Sequence, residues 1–329
     1  MAAAVPQCPP LVRLAAHVAQ SLMNRAMPKF VPPPVFVLMA GSTMWGITWI
    51  WLKAIDDMGV GPILISVIAY GVQFLMLLPW VLPAVWPRLR TDSARPLAWR
   101  WLLPLALLSG IAGIGFAVAM VYGDVVRSML LFFLIPAWGV IFGHVFLHEP
   151  LTRLRITAVI LAIGGAIAIL GPDIHWGFSI ADLAALTAGL ALAASNVVFR
   201  YLQAEPMLLK LSIMQLGGVV FGLAALMMCP EPLHTITLPG LVHSVVYGST
   251  LLLGAMLATQ YAVERLPAGR SAVLMTLELL VASGTAIWIG HEHPAFTVWM
   301  GGGLILTAAL LEATSHQPDS DPAHDQAKP

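Results

Sequence analysis

One carboxylate in this sequence stands where a bilayer-crossing stretch has least use for it. Glu278 lies inside Arg270–Glu292, an apolar run long enough to cross a membrane. It comes eight residues after Arg270, about 12 Å along a helix rising 1.5 Å per residue. An acid that deep costs roughly 2.5–3.5 kcal/mol on insertion scales, so it must face protein or water rather than lipid. Ser271 and Thr285 sit seven positions to either side, and Ala282 four positions after, which makes a small polar stripe on one helical face. Such an acid can take up a proton, or hold a cationic group of a solute, with a charge that differs between two conformations. It can equally be a structural acid hydrogen-bonded to a neighbouring helix.

Other polar and aromatic residues stand in similarly apolar surroundings. Trp45 and Trp49 are one helical turn apart and share a face, and Tyr70 and Gln73 are one turn apart in the next stretch. Indole rings can stack on a solute, with a cation–π contribution where it carries an ammonium. They can also be plain core or lipid-facing aromatics. Asn196 and Gln260 are expected to be buried amides, available to a solute or to another helix. Pro136 removes one helical hydrogen bond and frees a carbonyl, as a hinge or as a fixed kink. Gly139 and Gly143 have the small-xxx-small spacing of close helix contact, and His144 is expected to bond to a neighbouring helix. Asp124 and Arg127 are expected to pair across a tight turn.

The elements that position these residues follow from composition. The 329 residues are 59% hydrophobic and 10% charged, against about 25% charged in soluble domains, and the mean hydropathy is +0.87. In hydrocarbon every backbone polar group needs an internal partner, so helices or closed barrels are the choices. The period-two alternation of barrel strands is absent. The fold class is therefore all-α and polytopic. Ten spans are expected, at about 33–52, 62–85, 102–122, 126–147, 154–171, 180–200, 209–228, 239–262, 270–290 and 296–313. Residues 1–32, with Arg13, Arg25 and Lys29, form a basic arm or lie upstream of the true start, and residues 314–329 read as a disordered cytoplasmic tail.

Ten alternating spans with the amino terminus inside put 14 of the 16 basic residues on the inner side: Arg13, Arg25, Lys29, Arg88, Arg90, Arg95, Arg100, Arg153, Arg155, Arg200, Lys210, Arg265, Arg270 and Lys328. Only Lys53 and Arg127 fall outside. Lys and Arg are retained on the cytoplasmic side, so both termini are expected to be cytoplasmic.

The Arg270–Glu292 stretch also has an earlier copy, 143 positions back and without a gap. Arg127, Ser128, Leu131, Leu134, His148 and Glu149 match Arg270, Ser271, Leu274, Leu277, His291 and Glu292. Such self-similarity marks an internal repeat. Two five-helix units, 33–172 and 173–313, enter the membrane from opposite sides. They are inverted repeats, an arrangement that in secondary transporters builds a site near mid-membrane.

Ten spans in two units, Trp45-Gly46 followed by Lys53, and the Ser128–Pro136–Glu149 and Ser271–Glu278–Glu292 series resemble the drug/metabolite transporter superfamily, EamA type. The resemblance covers residues 35–313. In that family a proline often follows the second copy's acid, where this chain has Leu279. It implies alternating access driven by a substrate or proton gradient. The expected function is secondary export of a small metabolite, such as an amino acid, across the cell inner membrane. The expected site is drawn from Glu278, Trp45, Trp49, Tyr70, Gln73, Asn196 and Gln260, with Ser128, Pro136 and Ser271 as repeat motif or hinge.

Other classes find less support. Cys8 and Cys229 make no ligand or disulfide pattern, so neither metal nor cofactor is implied. Gly301-Gly302-Gly303 lies inside a span and has no following Lys-Ser/Thr, so it is no phosphate loop. A formal net charge of zero suggests no nucleic-acid partner. The alternatives are an integral membrane enzyme, which would need a residue cluster at a membrane face, and a non-transporting membrane sensor or a channel, the last of which would need charged or carbonyl rings. The expected partners are the lipid bilayer, a small-molecule substrate and a coupling proton, with the chain a monomer or homodimer.

Overall fold

The structure, a computed structural model, describes residues 33–89, 97–170, 179–231, 236–263, 265–266 and 268–315. The basic arm, the tail beyond Ser315, Arg90, Arg95 and the end of the fifth expected span at residue 171 lie outside the described residues.

The described residues are helical. In order they form α1 (Pro34–Gly46), α2 (Thr48–Asp56), α3 (Pro62–Val85), α4 (Trp99–Tyr122), α5 (Val125–Phe132), α6 (Ile135–Leu147) and α7 (Arg153–Leu170). There follow α8 (Ile180–Tyr201), α9 (Met207–Met228), α10 (Leu238–Val246), α11 (Leu253–Val263), α12 (Ala268–Trp288) and α13 (Phe296–Ser315). A π-helical turn, Tyr247–Leu252, joins α10 to α11. Among the described residues nine helical stretches are long and apolar enough to cross a membrane, and α12 carries a shorter apolar stretch, Val273–Trp288. The chain is a multi-pass membrane protein.

Two of the crossings are broken. α1 and α2 form one span, Pro34–Asp56, interrupted at Ile47. α5 and α6 form another, Val125–Leu147, interrupted at Phe133–Leu134. Pro136 sits in the first turn of α6, where its missing N–H does least harm. In α12 the equivalent of Pro136 is Leu279, and the helix runs through unbroken.

Helix starts are fixed by local chemistry. The Ser179 hydroxyl accepts from the Asp182 N–H at 3.1 Å, and the Asp182 carboxylate accepts from the Ser179 N–H at 2.9 Å, a reciprocal cap on α8. Thr237 accepts from the Gly240 N–H at 3.2 Å and donates to the Met58 carbonyl at 2.7 Å, which ties α10 to the turn after α2.

Pairwise packing runs between the two halves of the chain. α3 and α4 pack on α9, α4 on α8, α7 on α13, and α1 on both α11 and α12, while α5 and α6 pack on α8. Close seams depend on missing side chains. A Cβ at Gly46 would lie 2.8 Å from the Glu278 carbonyl oxygen on α12. One at Gly189 on α8 would lie 2.5 Å from the Phe132 carbonyl oxygen at the end of α5. Gly165 and Gly301 face each other's backbones across α7 and α13. Gly139, expected to serve such a contact, has nothing within 4 Å of its Cβ position, and the nearest group at Gly143 is the Glu149 carboxylate of the same chain end. Spacing alone does not say which side of a helix its neighbour occupies.

Candidate functional site

Glu278 is the central residue of α12 and is 9% exposed. Among the described residues no hydrogen-bond or ion-pair partner reaches its carboxylate. The helix sits against α1 at Gly46, so the acid belongs to the tightest point of that crossing. Two turns further along α12, the Thr285 hydroxyl accepts from Trp49 Nε1 at 3.0 Å and donates to the Val281 carbonyl at 2.7 Å. Trp49 is buried and its indole is committed to this seam. Trp45 is half-buried and packs against the cluster that holds Leu77, Leu211, Leu253 and Met256.

A second polar group lies deep in the bundle. Gln73 is fully buried; its amide donates to the Ala69 carbonyl at 3.3 Å and accepts from Gln215 Nε2 at 3.1 Å. Gln215 Nε2 also lies 2.8 Å from the Met256 sulfur. The pair therefore ties α3, α9 and α11 together. Tyr70 lies one turn before Gln73, in a slot opened by Gly113 of α4 and Gly218 of α9.

Asn196 does not join these groups: it is exposed on α8, contrary to the expected burial. Its neighbour Ser195 is buried instead, and two adjacent polar residues do not by themselves tell which of them faces inward. Gln260 is half-buried. Ser128 is buried and donates to the Ala119 carbonyl at 3.2 Å, which fastens α5 to the end of α4. Its counterpart Ser271 is also buried, with no hydrogen-bond partner for its hydroxyl among the described residues. His144 Nδ1 donates to the Glu149 carbonyl at 3.0 Å, so it closes its own helix end rather than bonding across to another span.

The ends of the bundle hold the charges. At one end Glu292 accepts from the Val125 and Val126 N–H groups at 2.7 and 3.0 Å, and Lys53 Nζ stands 3.9 Å away. Glu231 likewise accepts from the Ile63 and Leu64 N–H groups at 2.9 and 3.1 Å. Each carboxylate satisfies orphan donors and complements the positive end of a helix. Arg127 forks onto Asp182 at 2.7 and 2.9 Å, where the sequence suggested Asp124. At the other end Arg88 forks onto Glu205 at 2.6 and 2.9 Å. Glu149 accepts from Arg155 at 2.9 Å and Arg200 at 2.8 Å, and Arg155 reaches on to Glu312 at 3.3 Å. Burial works to raise the Glu149 carboxyl, but the two guanidiniums prevail and hold it below the usual value of 4.5.

Gln215 and the capping roles of Glu231 and Glu292 escaped the sequence reading. One signal was present for Gln215: it lies one position short of the repeat equivalent of Gln73. Among the described residues no group of three His, Cys, Asp or Glu side chains gathers as a metal site.

No curated protein matches the chain. A solved crystal structure, described only as that of a protein, is similar over 85% of this chain and 96% of its own length, with 13% identity and a TM-score of 0.57. That likeness concerns the fold alone. Residues 33–171 match the model of the EamA-like transporter family, to which that part of the chain is similar.

Proposed function

We propose that the chain is a secondary active transporter of the cell inner membrane that exports a small metabolite, an amino acid or a related compound, by alternating access. Its ten spans, α12 being the ninth, form two inverted five-helix units, 33–172 and 173–313, with both termini cytoplasmic. The packing supports this arrangement, because the contacts come in exchanged pairs. α4 on α8 answers α11 on α1, α5 and α6 on α8 answer α12 on α1, and α3 on α9 and α7 on α13 each join a helix to its own counterpart. Gly46 and Gly189, 143 positions apart, both sit where the first helix of one unit crosses the fourth of the other.

The observation that carries the reading is Glu278, a buried acid at the middle of a membrane helix with no partner among the described residues. A carboxylate left so in a low-dielectric interior is costly unless it is neutralised. A proton or a cationic group of the substrate does that in one access state. In this reading Trp45 and Gln260, both half-buried, line the path, and Trp49, Tyr70 and Gln73 support it from within the packing.

The test is uptake of a labelled amino acid and metabolite panel into inside-out vesicles, with and without a pH gradient, for wild type and Glu278→Gln. Saturable, gradient-stimulated uptake of one compound class, lost in the variant, is the expected result. Uptake indifferent to both gradient and substitution would remove Glu278 from the coupling step. Uptake rising linearly with concentration would mean a pore.

A further inference from the structure

The two units end their fourth helices in the same way but use the resulting carboxylates differently. His148 and His291, 143 positions apart, both adopt the left-handed conformation, with φ of 56° and 53°. The following glutamate N–H then reaches back six residues, Glu149 to the Gly143 carbonyl at 3.1 Å and Glu292 to the Ala286 carbonyl at 3.2 Å. This is a Schellman ending, which aims each carboxylate out from the helix end. The backbone aim is equal, yet the partners are not. Glu292 sits on the first two N–H groups of α5, at Val125 and Val126. Glu149 has both oxygens taken by Arg155 and Arg200.

The repeat states where Glu149 would go if it behaved as Glu292 does. Adding 143 to Val125 and Val126 gives Ala268 and Gly269, the first two residues of α12. The first N–H groups of any helix lack intrahelical partners. The cations that hold Glu149 have no equivalents on the other side, where the same shift turns Arg155 into Val298 and Arg200 into Asp57. One carboxylate thus has a single charged neighbour at 3.9 Å and a helix end, and the other has a competing pair of guanidiniums.

We propose that Glu149 and Glu292 are the two gate latches of the transport cycle: Glu292 on α5 closes the outer end in this conformation, and in the opposite one it lets go while Glu149 leaves Arg155 and Arg200 to cap α12 and close the inner end. The proposal rests on the two-unit carrier reading. It adds two residues that the sequence matches only as repeat equivalents.

The test measures the two ends separately by paired spin labels in nanodiscs, in a background with both cysteines replaced by alanine. One pair joins Asp124 to His293 at the outer seam, and the other joins Leu151 to Val263 at the inner seam; all four side chains are exposed or at an exposed end. Glu292→Gln is expected to lengthen the outer distance and shorten the inner one. The ratio of the two populations should shift roughly tenfold, which corresponds to about 1.4 kcal/mol. Arg200→Gln should shift both in the same sense, and since Arg200 is exposed the variant keeps the fold. Lengthening at the outer seam alone would make Glu292 a local cap and overturn the proposal, and so would no change in either variant. The label distances need no flux, so failure of the latch and failure of the transport reading are told apart by the vesicle assay.

Discussion

Gly46→Ala tests whether the crossing of α1 and α12 is as tight as it is drawn. The new methyl carbon would meet the Glu278 carbonyl oxygen at 2.8 Å, Val281 Cβ at 2.8 Å and Val281 Cγ1 at 2.9 Å. Carbon atoms pack best at about 3.5–4.0 Å, so the seam must open by roughly 0.7 Å, and against a backbone atom and a β-branched side chain neither can swing aside. Overpacking of this kind costs about 1–3 kcal/mol. Gly139→Ala is the matched control, since nothing lies within 4 Å of its Cβ position. It should gain what alanine ordinarily gains inside a helix, up to about 1 kcal/mol. The two variants, each adding one methyl group, should therefore differ by at least about 1–3 kcal/mol. In thermal melts of the protein in nanodiscs, at roughly 2–4 °C per kcal/mol, Gly46→Ala should fall several degrees below Gly139→Ala. Gly189→Ala, with the Phe132 carbonyl oxygen at 2.5 Å, should fall with it. Equal melting of Gly46→Ala and Gly139→Ala would refute the close seam, and with it the placing of Glu278 at a crossing.

Two further outcomes follow from side-chain partners. Gln73→Leu and Gln215→Leu should each destabilise the bundle, and the double variant should lose less than the sum, with a coupling of about 0.6 kcal/mol and not above about 1.7; additive losses in the melts would mean that the two amides do not share a bond. For Glu149, whose carboxyl is held below 4.5 by Arg155 and Arg200 against its burial, the stabilisation is present above that ordinary value and is lost as pH falls through the lowered one. Arg200→Gln should move this acid loss of stability to higher pH, and melts of the two proteins with the same pH dependence would contradict it.

What the sequence made legible divides along physical lines. Spans were readable because length and apolarity alone decide insertion, and the Arg270–Glu292 copy was readable because His and Glu at a helix end are not interchangeable with lipid-facing residues. Orientation about each helix axis was not. Asn196 was expected inside and is exposed, while Gly139 was expected at a seam and faces none. In a soluble helix the apolar stripe marks the buried face; in a membrane both faces are apolar, and the stripe vanishes. Gln215 shows the same gap: one amide between Met214 and Leu216 carries no local pattern, and its role appears only beside Gln73. Ile47 was missed as a break because no proline or glycine pair announces it beyond Gly46.

The difference between the two fourth helices has a further consequence for where polarity sits. Phe132 ends α5, and the break before Pro136 leaves its carbonyl with no continuing helix to supply a donor. The Phe132 carbonyl is the atom that meets Gly189 of α8 most closely. At the matching crossing Gly46 meets the Glu278 carbonyl, one turn beyond Met275, the repeat equivalent of Phe132, and α12 is unbroken there, so that carbonyl keeps its helical partner. The second crossing therefore offers no backbone acceptor and carries an ionisable side chain instead. Each unit brings one polar group to the meeting of its fourth helix with the other unit's first, a freed carbonyl in one and a carboxyl in the other. Of the two only the carboxyl can change its charge, and α12, which carries it, packs directly on α5 as well as on α1.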